Sequence, residues 1–424
     1  MQILRNLKDI ILCIMGEITL MKNFFVRDDF FKSISLKLKH NRILLAGVSI
    51  FLVFVIIFSI VKLTQISKNS KGKDVAVDID VDESNINEKP EDIEQNDSLN
   101  QEDVINKNEN HFILPKEGIR PYAVMIDNEG TICLPQGGLH KAQIIYEIIV
   151  EGGVTRYMPI FWYDSDNIES ESKSTNEENN QKNENDLLIG PVRSARHYFL
   201  DYAFEHDAIY VHFGWSPQAQ RDISSFKVNN INGVSNGWEI FWDITNNPNN
   251  WQDSYTSMSK IIEYVKKVKY RTETDKKLVF SYNEKDMDPD GDNIALNVLV
   301  EYNQSYKSQY IYDPETREYS RLRNNEPHME RATNEQLKVK NIIVQFVNNY
   351  TIKGDPEGRQ EVETTGSGEG WYITCGKAIK IKWSKKSRTE PTIYTDENGN
   401  SIILNPGQTW IQIISPYAKV EISN

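Results

Sequence analysis

IIYEIIVEGGVTRYMPIFW, residues Ile144 to Trp162, sets two apolar runs on either side of a glycine pair. Runs of this length, rich in β-branched and aromatic residues and interrupted at Gly152-Gly153, predict two strands joined as a hairpin. With a two-residue turn at the glycines, Glu151 faces Val154, Ile149 faces Arg156 and Glu147 faces Met158. On that register Arg156 lies diagonally between Glu147 and Glu151, a distance long side chains bridge.

Working outward, Tyr122-Ala123-Val124-Met125-Ile126 reads as a short buried strand that ends in a polar turn at Asp127-Asn128. Downstream, Gly190-Pro191 predicts a helix from Val192 to about Phe204, with proline in the first turn, where its missing N–H is harmless. Arg193 and Arg196 then share one helix face at i, i+3 spacing. A strand over Ala208 to Phe213 and a helix over Ser257 to Val268 complete a mixed region, 111–283, interrupted at 164–186 by an acidic, Asn-rich surface insertion. From 284 to 424 the pattern becomes short strands: Trp371 to Thr374, Ala378 to Trp383, Thr392 to Tyr394, Ser401 to Leu404 and Thr409 to Ile414. The expected class is α+β, a mixed helix/strand domain followed by a mainly β domain.

Ahead of these domains, Ile43 to Val61 (ILLAGVSIFLVFVIIFSIV) carries no charge, Asn, Gln or Pro and is long enough to span a bilayer as a helix. It is longer than a signal-peptide core and leads into Lys62-Leu63-Thr64-Gln65, so an uncleaved anchor is expected. Counting Arg5, Lys8, Lys22 and Arg27 with the nearer basic residues puts 1–42 in the cytoplasm and the rest outside. The stretch 62–110 is an expected disordered tether: from Ser70 to Asn110 there are 13 Asp/Glu against 4 Lys. With a net charge of −13 the chain is a poor nucleic-acid binder. Cys13, Cys133 and Cys375 imply no disulfide framework, and Leu12 before Cys13 does not make a lipidation site.

The chain also resembles the YerB-type lipoprotein family of Gram-positive bacteria. The resemblance runs through Arg120-Pro121-Tyr122-Ala123-Val124-Met125-Ile126-Asp127-Asn128, Pro135-Gln136-Gly137-Gly138-Leu139, Glu151-Gly152-Gly153-Val154-Thr155-Arg156 and Gly190-Pro191-Val192-Arg193-Ser194-Ala195-Arg196. It continues with Pro327-His328-Met329-Glu330, Asn341-Ile342-Ile343-Val344-Gln345-Phe346, Gly366-Ser367-Gly368 and Asn405-Pro406-Gly407-Gln408-Thr409-Trp410. It implies a two-domain extracytoplasmic protein without an established biochemical role. Two departures stand out: an apolar span in place of a lipidated Cys, and Gln252-Asp253 where the family often has His-Asn.

Candidate ligand-binding residues are Asp127, Glu147, Glu151, Arg156, Arg193, Arg196 and His212. Three guanidinium groups near a helix start suit a carboxylate or phosphate, whereas an internal ion network is the structural alternative. The expected function is a membrane-anchored envelope protein binding an anionic ligand or a protein partner. The alternative is a cell-wall hydrolase using Glu147, Glu151 or Asp127 as acid and base with His212. No cofactor is called for. Asp286 to Asp292 imitates the first half of a calcium loop, but Asn297 stands where a bidentate Glu belongs, so an acidic turn and no metal is expected. The lysines from Lys377 to Lys386 read as a protected strand edge.

Overall fold

The computed structural model describes residues 112–163, 186–247, 250–291 and 293–424. The segment 1–42, the apolar run Ile43 to Val61, the acidic stretch 62–110 and residues 164–185 of the insertion lie outside the described residues. Among the described residues no helix is long and apolar enough to cross a membrane.

In chain order the principal elements are β1 (Tyr122–Val124), β2 (Ile144–Ile149), β3 (Thr155–Phe161), α1 (His197–Glu205), β4 (Ile209–His212), α2 (Pro217–Ser225), β5 (Asn230–Asn232) and α3 (Met258–Val268). They continue with β6 (Asn297–Asn303), β7 (Tyr306–Asp313), β8 (Glu318–Arg323), β9 (Asn341–Phe346), β10 (Gly366–Thr374), β11 (Lys377–Lys385), β12 (Thr409–Ile414) and β13 (Lys419–Ser423). Strands outnumber helices, and the principal helices all precede β6.

One 12-stranded sheet passes through both halves of the chain, with β11-β10-β9-β12-β2-β3-β1-β4-β5 as its main run. The junction is β12, parallel to β9 on one side and to β2 on the other, with Ile411 beside both Ile343 and Tyr146. Strands covered on both faces should read as near-continuous apolar runs, and TWIQII and NIIVQF do, with Thr409, Gln412, Asn341 and Gln345 as their buried polar interruptions. Alternate residues then feed two cores. Ile144, Tyr146, Ile148, Ile343, Ile411 and Ile413 pack with Tyr198, Phe199 and Tyr202 of α1 on one face. Ile145, Tyr157, Ile342, Val344 and Trp410 pack on the other against Val298, Val300, Tyr310 and Tyr319 of a second sheet built around β8-β7-β6-β13.

The expected helix over Ser257 to Val268 is present, with the Ser257 hydroxyl accepting from the Lys260 N–H at 3.4 Å as its cap. It buries Met258, Ile261, Ile262 and Val265, the i, i+3, i+4, i+7 stripe, and stops at Lys269 in the left-handed region. Two other expectations are corrected. Residues 190–196 are extended: Val192 N–H donates to Ser254 O at 2.7 Å, Arg193 N–H to Met125 O at 2.8 Å and Ala195 N–H to Gly214 O at 3.0 Å. The helix begins only after Arg196, whose φ of −125° and ψ of 145° are those of a strand. Gly190 is required there by crowding, since a Cβ would sit 2.7 Å from the Tyr255 ring.

The second correction concerns the hairpin. Glu151-Gly152-Gly153 forms a three-residue loop, with Val150 N–H donating to Val154 O at 2.7 Å and both glycines at positive φ. The pairs are therefore Glu147 with Tyr157, Ile148 with Arg156 and Ile149 with Thr155. A one-residue slip of this kind moves every side chain to the other face. Glu147 and Arg156 consequently point away from each other.

Beneath α1 lies a sealed polar chain. His206 and Glu205 flank the Tyr146 hydroxyl, each at 2.8 Å, and Lys385 donates to Glu205 at 2.7 Å. The Tyr146 O–H gives its proton to the carboxylate, so His206 is the donor to the Tyr146 oxygen through Nε2. Burial, the largest cause, brings the His206 pKa down to about 4; Glu205 opposes this, while Lys385 and Lys276 add to it. The unfolded chain takes up this proton near an ordinary pKa of about 6.5 and the folded chain only near 4, so folding stability falls across that window on acidification, by on the order of 3 kcal/mol. Asp201, which burial pushes up to about 6 against Arg388, runs the other way and offsets part of the loss. Urea unfolding from pH 7 to 4 should show a falling midpoint, with a shallower fall in His206→Gln. Equal slopes in the two proteins would remove His206 as the cause.

Candidate functional site

The hairpin loop, the extended segment after Pro191 and the end of the first strand meet at one surface. Asp127, at the end of the short strand Ile126–Asp127, pairs with Arg156 across the ladder. Its carboxylate accepts from Gln252 Nε2 at 2.8 Å and from the Glu129 N–H at 3.0 Å, and Arg193 Nε stands at 3.1 Å. The Arg193 guanidinium stacks over Trp251 at 4.2 Å and reaches Glu129 at 3.8 Å. Arg196, at the N-cap of α1, grips Glu151 with two bonds, Nε to Oε1 at 2.6 Å and NH2 to Oε2 at 2.8 Å, and also donates to Ala195 O at 2.8 Å. Burial would raise the Glu151 carboxyl, but these bonds and the charges of Arg196 and Arg156 carry it below its ordinary value.

Arg156 is different. It is only 5% exposed and donates NH1 to Ser194 O at 2.7 Å, while its Nε has no hydrogen-bond partner. Among the described residues it forms no ion pair with a carboxylate. Burial first, then the neighbouring charges of Arg196 and Arg193, bring its pKa down to about 9 against the opposing charges of Asp127 and Glu151, so it remains a cation at neutral pH. It lines a pocket of about 170 Å³ together with Glu129, Val150, Glu151, Val154, Arg196, Glu357 and Arg359. Arg359 is held by Asp355 at 3.0 and 3.1 Å and approaches Glu151 at 3.8 Å.

Of the seven residues read from sequence, Asp127, Glu151, Arg156, Arg193 and Arg196 come together, and Glu147 and His212 do not. Glu147 lies on the opposite sheet face, between the two sheets. It accepts from Thr155 and Ser308 hydroxyls at 2.8 Å, Gln412 Nε2 at 3.0 Å and Arg321 NH2 at 2.8 Å. Arg321 is fully buried, lies 3.9 Å over the Trp410 ring and contacts His328, whose Nε2 bonds Gln136 Oε1 at 2.8 Å. His212 is fully buried, with Nδ1 2.7 Å from Gly214 O and Nε2 3.1 Å from Asn230 Oδ1. Both oxygens are acceptors, so the neutral ring, held below its ordinary pKa by burial, donates to one of them, as in a core histidine. Glu129, Trp251, Glu357 and Arg359 escaped sequence reading. Arg359 sits 203 positions after Arg156 in numbering, and no local pattern ties it to the hairpin.

The other charged segments have internal partners. Asp286 binds Lys340 at 2.8 Å, and Asp288 binds Arg317 at 2.5 Å. The lysine-rich strand β11 is no free edge: it pairs with β10 along its length and with Ile393–Thr395 over Lys382 to Ser384. Lys380 and Lys382 are exposed on it, but Lys385 is buried.

Residues 114–271 match the family described as protein of unknown function (DUF3048), N-terminal domain, and residues 298–411 match its C-terminal domain. A curated Bacillus subtilis (strain 168) protein named "Putative lipoprotein YerB" is 30% identical over 310 residues, 72% of this chain and 84% of that protein. The chain belongs to this family. The crystal structure of YerB from Bacillus subtilis is similar to the fold, with a TM-score of 0.59 at 25% identity over 72% of this chain and 94% of that one. The YerB-type resemblance read from the motifs is thereby established, and the family carries no assigned activity in its description.

Proposed function

We propose that this YerB-like chain is an envelope protein, held in the membrane by Ile43 to Val61, whose outward-facing portion binds an oxyanion-bearing ligand at Arg156. The apolar span supports the anchor, and the relative's name as a lipoprotein fits an extracytoplasmic place. Arg156 carries the ligand reading. Asp127 and Glu151 act on this buried cation through space, but neither forms an ion pair with it, and a carboxylate or phosphate group entering the pocket would supply the missing fork partner. The bidentate Arg196–Glu151 pair and the Arg193–Asp127 pair act as supports that hold the pocket walls.

The hydrolase alternative draws less support. Glu147 is sealed between sheets, both Glu151 oxygens are engaged by Arg196, and Asp127 is engaged by Arg193, Gln252 and a backbone N–H. A general acid needs a proton to give at working pH, and a carboxyl held below its ordinary value by guanidinium groups has none.

Titration of the intact chain with acetate and with inorganic phosphate tests the reading. Arg156→Met should weaken binding at least about tenfold while leaving the unfolding midpoint unchanged or raised, since an unpaired buried charge is removed. Loss of stability in Arg156→Met, or no binding by the parent chain, would place Arg156 in the scaffold.

A further inference from the structure

We infer that the ligand of this pocket is a small zwitterion that sets its oxyanion on Arg156 and its ammonium group on Glu357, an inference resting on the pocket being a ligand site. The argument is one of residual charge. Arg196 and Glu151 cancel through their two short bonds, and Arg359 is held by both oxygens of Asp355. Glu129 has only the distant Arg193 at 3.8 Å, which is nearer to Asp127 at 3.1 Å. The lining groups left without an ion-pair partner among the described residues are the buried Arg156 and the exposed Glu357.

A plain anion at Arg156 shares the pocket with Glu129, Glu151 and Glu357, and a divalent one is repelled most. A molecule with an ammonium group beside its oxyanion meets attraction at both ends. At about 170 Å³ the pocket is smaller than drug-sized sites of roughly 300–1,000 Å³, and Val150 and Val154 offer wall for one or two carbons between the charges. The chemistry fits an amino acid head group or an aminoalkyl phosphate.

Titration of the intact chain with alanine, phosphoethanolamine, acetate, methylammonium and inorganic phosphate decides the matter. One zwitterion should bind about fivefold more tightly than the simple ion that matches its anionic half, and the better of the two identifies carboxylate or phosphate as that half. Glu357→Gln, an exposed change that leaves the core intact, should erase this preference while acetate and phosphate bind as well or better. Simple anions matching the zwitterions, with binding still lost in Arg156→Met, would overturn this inference and keep the anion site. A preference that survives Glu357→Gln would likewise overturn it. Absence of binding by every probe would overturn both.

Discussion

Arg321→Met should destabilise the protein by about 3–5 kcal/mol, the cost of leaving Glu147 ionised and unpaired between two sheets. The Arg321 guanidinium and the Glu147 carboxylate are both buried, and the remaining partners of Glu147 are neutral hydroxyl and amide groups. The change also removes the cation from the face of Trp410, where it stands 3.9 Å from the ring centroid. Guanidinium chloride unfolding of the variant measures the loss directly. Arg321→Met combined with Glu147→Met should recover much of it, because apolar groups of similar volume replace the whole pair. A single variant within about 1 kcal/mol of the parent would mean that the pair is hydrated or already neutral.

Lys385→Met should cost a similar ~3–5 kcal/mol by a second route. Glu205 would keep Thr392 and Tyr146 as donors but lose its cation, 2.7 Å away and as buried as itself. Burial pushes the Glu205 carboxyl up, and Lys385, with His206, brings it below its ordinary value. Without Lys385 burial prevails, and the folded variant takes up a proton at Glu205 more readily than the unfolded chain does. The penalty should therefore be largest at pH 7 to 8 and shrink as pH falls toward 5. Denaturation at the two pH values measures the difference. A penalty independent of pH would mean that packing of the lysine stem, and not its charge, supports α1.

The strands β2, β3 and β12 were readable because each is mostly apolar, with β-branched or aromatic residues around one or two polar ones, a signal that needs no tertiary knowledge. The hairpin register was not, since Glu151-Gly152-Gly153 allows a two- or a three-residue turn, and only backbone bonding at Val150 and Val154 chooses between them. Pro191 has the same ambiguity: proline suits both a first helical turn and extended chain, and bonds from Val192 and Arg193 to distant strands decide for the latter. The site was half readable for the same reason. Arg156, Arg193 and Arg196 stand out as arginines beside predicted turns, whereas the partner that captures Glu147 is Arg321 of the second sheet and the one that approaches Glu151 is Arg359, each far from its target in sequence. Glu147 looked like a member of the arginine cluster only on the slipped register.

The position of β12 also bears on how the chain can be made and moved. This strand, residues 409–414, is the last part of the large sheet to leave the ribosome, yet it lies in the middle, bonded on both sides to strands that precede it by tens to hundreds of residues. Until it arrives, β2 and β9 each present a bare edge, and the loop that must close to join them is long, which makes closure slow. The earlier part of the chain is thus kept from completing its sheet throughout synthesis. For a polypeptide exported as proposed above, such a delay would be an asset, because the piece that locks the large sheet would emerge after every other strand of that sheet.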